Sequence, residues 1–361
     1  MELILSGGWI GREGLWRVKT SEPIYLVRFE DIPPGKDLFL IISYDLSRDT
    51  LSVDIKCRGL PPIIVLPLEG FERFSGDGGT YRLDFVGMSL PEDGFIKGVL
   101  KVKDRIERGE VYQVNLTSEM VFRLEGDPLS LFLDFFGRQP VPYGFFLRAS
   151  DLIVMSGSME LFLKRKGDRL VSRPVKGTGR TPEEILSKEK EIAENLMITD
   201  MMRNDLGRVA RAGTVRVREL FRVEEFSTLC QMHSTVEAET EKDTADILRN
   251  TFPPASVTGA PKIKAVEVID ELEPHARGYY CGTAGILRRN GDFTFSVLIR
   301  TAYGSGNEIS YFAGCGIVWD SDPRREFEEL LLKARAFFPG VAGVRYGSEE
   351  VCKRSSGGER A

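Results

Sequence analysis

Glu191 and Glu194 stand three residues apart in KEKEIAENLMITD, and Glu326 and Glu329 stand three apart in DPRREFEELLLKA. On a helix that spacing puts each pair on one face, and Lys333, four residues beyond Glu329, extends the second stripe. Spacing alone favours two solvated helix faces with an i,i+4 ion pair. The chemical alternative is a hard-cation site. Mg²⁺ takes oxygen ligands, often only one or two direct carboxylates, and keeps water and a substrate anion in its shell. Lys176, in the Pro- and Gly-containing RPVKGTGR, has no helical periodicity around it, and its ordinary reading is a solvated loop charge.

Two glycine-rich turns add little by themselves. SVTGAPK (Ser256 to Lys262) lacks the second glycine before the lysine that a phosphate loop needs, and AGCGIV has Gly314 and Gly316 but no third glycine for a dinucleotide fingerprint. What remains is backbone that can approach a ligand and offer N–H groups to an anion, or plain turn geometry. Arg300, closing the apolar FSVLIR, is either a carboxylate fork or an edge charge. Only two histidines, His233 and His275, speak against a His-rich zinc or iron site and against a Cys-His-Glu amidase triad lying wholly on this chain. Any chemistry must rest on carboxylates, lysine, arginine and backbone.

The elements that position these residues follow from pattern. The chain has 361 residues, 42% hydrophobic and 29% charged, with a formal net charge of −5. That is a globular composition able to bury a substantial core, without a polybasic face for nucleic acid or anionic lipid. The five cysteines are scattered and form no CxxC pair, the first residues lack the features of a signal peptide, and no run approaches a membrane span. A cytoplasmic protein is expected.

Residues 1–90 read mostly as strands, at PIYLVRF, DLFLIISYDL, LSVDIKC, PPIIVLPL and YRLDFVGM. From Pro91 a helix is expected with Phe95, Val99, Leu100 and Ile106 on one face and Gly109 as its stop. Strands follow at VYQVNLT, YGFFLRA and DLIVMSG, and PEEILSKEKEIAENLMITDMMRNDLGRVA reads as one long helix with Ile185, Ile192, Leu196 and Leu206 near one face. A further helix runs from about Ala260 through IKAVEVIDEL, a hairpin spans GILRRNGDFTFSVLIRTAY, and the last helix starts at Asp322 as N-cap with Pro323 behind it. Antiparallel strands with segregated helices make the fold class α+β.

In order and wording these segments resemble the chorismate-utilising enzymes: anthranilate synthase component I, aminodeoxychorismate synthase component I, and the isochorismate and salicylate synthases. The resemblance is carried by GEVYQVNLT, RPVKGT, KEIAENLMITDMMRNDLGRV, QMHSTVEAE, SVTGAPKIKAVEVIDELEPHARGYYCG, LIRTA and AGCGIVWDSDPRREFEELLLKA, across Gly109 to Ala334. It implies an anthranilate synthase component I-like chorismate-binding fold of two large, mainly antiparallel sheets with outer helices. A shortened strand-rich part at 1–90 would pack on the catalytic domain at 91–340, with a loosely held tail at 341–361. ISYDL at Ile42 to Leu46 weakly resembles a further family segment, but the strand that holds feedback tryptophan in anthranilate synthases is not located.

The resemblance also implies roles. Glu194 and Glu329 match direct Mg²⁺ ligands, with Glu191 and Glu326 as partners acting nearby or through water. Gly177, Thr178, Ser256, Tyr280, Arg300, Gly314, Gly316 and Lys333 match the neighbourhood of chorismate. Anthranilate synthases usually carry alanine where this chain has Lys176, whereas aminodeoxychorismate synthases carry lysine, understood as a nucleophile that attacks C2 while the C4 hydroxyl leaves. Glu160, in SMELFL, matches the glutamate proposed as general acid, a role that needs the protonated form which desolvation favours. Two departures stand out: Ser158-Met159-Glu160 replaces the usual Ser-Pro-Glu, and Gln231 stands at the anthranilate synthase histidine, which makes His233, two residues on, a poor catalytic candidate.

The implied reaction is Mg²⁺-dependent amination of chorismate at C4 to 4-amino-4-deoxychorismate, towards p-aminobenzoate and folate. Ammonia would come from a separate glutamine amidotransferase partner, and pyruvate elimination would fall to another protein. Amination at C2 to anthranilate, and water addition to isochorismate as in the isochorismate- and salicylate-type enzymes, are the alternatives within the family. A catalytically silent chorismate-binding subunit is the alternative outside enzymes, and the presence of all four glutamates and Lys176 argues against it.

Overall fold

The computed structural model describes residues 1–179, 181–225 and 230–340, and those residues form two ten-stranded antiparallel sheets with helices outside them. The strand Glu2–Ser6 shows how the layers arise. Leu3 and Leu5 point into the core between the sheets, Ile4 points into a second core under the outer helices, and all three are fully buried. A strand covered on both faces reads as a continuous apolar run rather than an alternation, and the pattern ELILS did not mark it.

The first sheet runs, in spatial order, Gly259–Ala260, Gln113–Gly126, Glu308–Ile317, Thr301–Ser305, Leu152–Ser158, Tyr143–Ala149, Glu2–Ser6, Leu15–Lys19 and Gly70–Arg73, with Tyr81–Met88 also paired to Gln113–Gly126. The second runs Val175–Gly179, Cys230–Glu239, Arg169–Arg173, Leu161–Lys166, Phe293–Val297, Thr283–Leu287, Leu38–Ile42, Ile63–Pro67 and Ile24–Leu26, with Arg216–Glu225 paired to Cys230–Glu239. The first ninety residues therefore feed both sheets: Glu2–Ser6 pairs with Tyr143–Ala149, and Leu38–Ile42 with Thr283–Leu287. Phe39, Phe145, Phe162 and Phe295 fill the space between the sheets. Helices Glu92–Glu107, Pro128–Arg138 and Pro323–Ala334 cover the outer face of the first sheet through Phe95, Phe132, Phe135 and Phe327. Among the described residues no helix is long and apolar enough to cross a membrane.

Four expectations are corrected. LSVDIKC is not a strand: Val53 and Ile55 are buried and the chain is extended, but the Lys56 N–H donates to the Asp270 carboxylate instead of to a neighbouring strand. The long helix is two, Pro182–Leu186 and Glu189–Gly207, the first capped by the Thr181 hydroxyl. The buried face of the second holds Glu194, Asn195, Thr199 and Asp205 beside Ile198, Met202 and Leu206, while Leu196 is exposed. Polar residues turned inward blur the apolar period, so Leu196 was misplaced. Leu100 is likewise exposed, because Gly98 and Val102 complete the buried face of Glu92–Glu107. The other expected ends hold: Gly109 takes a left-handed φ of 72° just past the helix, and Asp322 accepts from the N–H groups of Arg324 and Arg325. The tail at 341–361 lies outside the described residues.

Candidate active site

Helices Glu189–Gly207 and Pro323–Ala334 bring their carboxylates to a cavity of about 410 Å³ that both sheets help to line. Lys176, Glu160, Gly177, Ser256, Tyr280, Arg300, Gly314, Gly316 and Lys333 line it, as do Glu191, Glu194, Glu326 and Glu329. Residues drawn from eight separated segments thus meet in one place. The side chain of Thr178 lies outside the described residues. Gln231 also faces the cavity, whereas His233 is buried on the same strand and does not line it, and burial pushes its imidazole below the ordinary histidine range.

Lys176 reaches the cavity through an irregular strand. Val175–Gly179 pairs with Cys230–Glu239 through Val175 to His233 and Thr178 to Gln231, with a register shift between them. Gly177 takes a φ of 97° in that shift, a conformation glycine adopts without the Cβ penalty. The Asn195 amide donates to the Lys176 carbonyl at 3.3 Å and accepts from the Ser234 hydroxyl, tying the loop to the glutamate-bearing helix. The Lys176 ammonium lies 3.7 Å from Glu194 Oε2.

The floor is the neighbouring strand pair. Glu308–Ile317 runs beside Gln113–Gly126 with Gly316 opposite Asn115. A Cβ on Gly316 would stand 2.2 Å from Gln113 Nε2 and 3.2 Å from Lys176 Nζ, so glycine leaves the lysine its room. Gln113 is buried and its Oε1 has no partner, a polar atom that sequence reasoning missed because VYQV reads as ordinary strand.

These four carboxylates share the space with four lysines, Lys176, Lys188, Lys190 and Lys333. Lys333 lies 2.7 Å from Glu329 and donates to the Gly314 carbonyl at 2.9 Å. Lys190, which the sequence did not single out, lies 2.7 Å from Glu326 and 3.7 Å from Glu194. Burial raises the Glu191 carboxyl above its ordinary range, and the charges of Glu194 and Glu329 add to that. Burial acts the same way on Glu329, but the Lys333 ammonium outweighs it and draws the carboxyl down to about 2. With 48% of its side chain accessible, Glu329 is also partly screened by water. Glu326, Glu329 and the Cys315 thiol hold ligand atoms within 4.8 Å of one another. Glu326 and Glu329 hold carboxylate oxygens close together, and Glu191 and Glu194 line the same cavity, so oxygen donors of the kind a hard divalent cation takes are present and the residues fit Mg²⁺.

Glu160 stands apart from that cluster. It is 5% exposed, and burial lifts its carboxyl to about 7, against the lowering effects of a hydrogen bond with Ser256 and the charge of Lys176. A carboxyl poised near neutrality and facing a cavity has the form of a general acid. Arg300 takes a left-handed φ of 51° where the chain passes from the Phe293–Val297 strand to Thr301–Ser305 in the other sheet, and its guanidinium donates to the Lys333 carbonyl at 2.5 Å. Tyr280 stacks on Phe312, 5.1 Å between ring centroids.

Beneath the cavity, buried ion pairs hold the turns in place. Lys262, which ends SVTGAPK, donates to Asp205 at 2.6 Å and to the carbonyls of Thr251 and Pro253, so all three of its N–H donors serve the fold. Arg277 is bonded to Glu273 and to the carbonyls of Asn115 and Val257, two cavity-lining residues, and Glu273 in turn accepts from the Thr117 N–H and hydroxyl. Long motif segments such as NDLG and EPHARGYY are thus scaffold for the site, where a lost partner would leave an uncompensated buried charge.

Comparison with known proteins agrees with this architecture. The family model for chorismate binding enzyme matches residues 73–339. The chain is 35% identical to aminodeoxychorismate synthase component 1 of Bacillus subtilis, over 87% of this chain and 69% of that protein. It is 38% identical to anthranilate synthase component 1 of Aquifex aeolicus, over 85% of this chain and 62% of that one. Among solved structures, anthranilate synthase component I from Streptococcus pneumoniae superposes with a TM-score of 0.74 at 25% identity, covering 85% of this chain and 81% of that one. MenF, the menaquinone-specific isochorismate synthase from Escherichia coli, shares the fold, with a TM-score of 0.73 at 18% identity, covering 93% of this chain and 87% of that one. The two sheets and the carboxylate-lined cavity define an anthranilate synthase-like fold, and the chain belongs to the chorismate binding enzyme family.

Proposed function

We propose that this chain aminates chorismate at C4, giving 4-amino-4-deoxychorismate, as the synthase component of an aminodeoxychorismate synthase. The observation that carries the reading is Lys176, whose amine enters the cavity with Glu160 and the glutamate cluster around it. In the reaction the Lys176 ammonium first releases a proton to solvent, the resulting amine bonds to C2, the ring double bonds shift, and the C4 hydroxyl leaves as water with the proton of Glu160. Ammonia then bonds to C4, the double bonds return, and the amine leaves C2. Arg300, Lys333 and the backbone at Gly314 and Gly316 are placed to hold the substrate carboxylates and the ring. Glu191, Glu194, Glu326 and Glu329 would hold Mg²⁺, which supplies Lewis-acid charge for a substrate carboxylate when bound. Ammonia is assigned to a glutamine amidotransferase partner, in keeping with the "component 1" names of the relatives.

Incubation with chorismate, Mg²⁺ and ammonium, followed by chromatography and mass spectrometry, is expected to yield the C4-aminated product. Anthranilate as main product would assign the chain to C2 amination, and no turnover would favour a silent binding subunit. A second expected outcome concerns the floor. Gly316→Ala should fold, because the new methyl group meets side-chain ends, yet it should lose about a hundredfold in kcat/KM by crowding the Lys176 amine. Thermal melting and steady-state kinetics separate the two effects.

A further inference from the structure

Of the lysines in the cavity, Lys190 is placed unlike the others. Lys333 is anchored by a backbone carbonyl as well as by Glu329, on its own helix. Lys190 has no such anchor. Its ammonium lies 2.7 Å from Glu326 Oε1 and 3.7 Å from Glu194 Oε1, and so joins the helix Glu189–Gly207 to the helix Pro323–Ala334. The two carboxylates it joins are buried, with side chains 3% and 10% accessible, while its own side chain is 39% accessible. One flexible ammonium therefore touches carboxylates of both helices with solvent behind it, while Lys176, 3.7 Å from the other oxygen of Glu194, reaches only one of them.

We infer that Lys190 is an internal counter-cation: it neutralises Glu194 and Glu326 until a divalent ion arrives, and the ion binds as the ammonium swings out to solvent. The inference rests on the reading of the four glutamates as a divalent-cation site. Two cations cannot share those oxygens without strong repulsion, so the energy that holds Lys190 in place is subtracted from the ion's binding energy. The arrangement keeps the cluster of negative charges from pushing the two helices apart while the site waits, and it weakens resting affinity for any cation. Lys190 thereby sets the cation affinity of a site to which it contributes no ligand.

The test is a titration of the whole chain with Mn²⁺ alone, without chorismate, reading the unbound ion by electron paramagnetic resonance. Lys190→Met and Lys190→Gln are expected to bind Mn²⁺ at least about fivefold more tightly than wild type, the size expected for removing one partly screened like charge at contact distance. Without the ion both variants should melt at a lower temperature than wild type, and Mn²⁺ should raise their melting temperature by more than it raises that of wild type. Lys190→Arg, which keeps a cation in place, should bind within about twofold of wild type. Lys264→Met serves as control for the loss of charge, since that ammonium is paired to Glu267 at 3.1 Å and lies outside the cavity lining. Mn²⁺ binding by the neutral variants that is no tighter than wild type, or no tighter than Lys264→Met, overturns the inference. No Mn²⁺ binding by wild type and variants alike overturns the metal-site reading beneath it, a result distinct from equal binding.

Discussion

Lys176→Ala is expected to lose C4 amination by at least about a thousandfold, the scale on which removal of a covalent nucleophile acts. The change should leave the fold alone. The lysine lies on a bulged strand whose backbone bond to Asn195 survives truncation, and its ammonium makes one 3.7 Å contact, to Glu194. A melting temperature near that of wild type with product lost would therefore place the defect in chemistry. Two further readouts sharpen the result. Intact-mass spectrometry of wild type with chorismate and no ammonium should detect protein carrying the dehydrated substrate, and the alanine variant should not. Retained C4 amination in Lys176→Ala would remove the residue from the nucleophile role. Anthranilate formed in its place would show that the fold and the remaining site support C2 chemistry once the lysine is gone.

Much of the site was legible because its residues are spaced by regular structure. Glu326 and Glu329 sit on a helix announced by Asp322 and Pro323, and a three-residue spacing on such a helix fixes a common face. The same logic failed in part for Glu191 and Glu194. Their helix turns Asn195, Thr199 and Asp205 inward as well, so the apolar stripe that normally orients a helix is diluted, and the break between Leu186 and Glu189 passed unseen. Lys190 was overlooked although its i,i+4 spacing to Glu194 was readable; what no local spacing reports is its contact with Glu326, 136 residues away on another helix. Gln113 hid inside a buried strand. LSVDIKC failed for the opposite reason: its alternation is real, with Val53 and Ile55 buried, but a side chain on Asp270 takes the N–H that a neighbouring strand would have taken. Period reports burial; strand pairing needs a partner that the period does not name.

Glu160→Gln is expected to lose about 10² to 10⁴ in turnover, the usual range for removing a general acid, and to gain stability at alkaline pH. Both effects come from one cause. Burial lifts the carboxyl from 4.5 to about 7, so the folded protein keeps this proton where the unfolded chain would release it. Below pH 4.5 the group is protonated in both states and adds nothing to the pH dependence. As pH rises from 4.5 to about 7, the unfolded state alone is ionised and stability falls; above about 7 the loss is complete, on the order of 3 kcal/mol. Glutamine carries no such charge. Urea denaturation should therefore find the variant and wild type alike near pH 4.5 and the variant more stable at pH 8. Activity runs on the same proton: the acid form of Glu160 is the competent one, so the wild-type rate should fall as pH rises through about 7, and the residual rate of the variant should lack that limb. A Glu160→Gln protein with near-wild-type turnover and an unchanged alkaline limb would assign the departing hydroxyl's proton to another group.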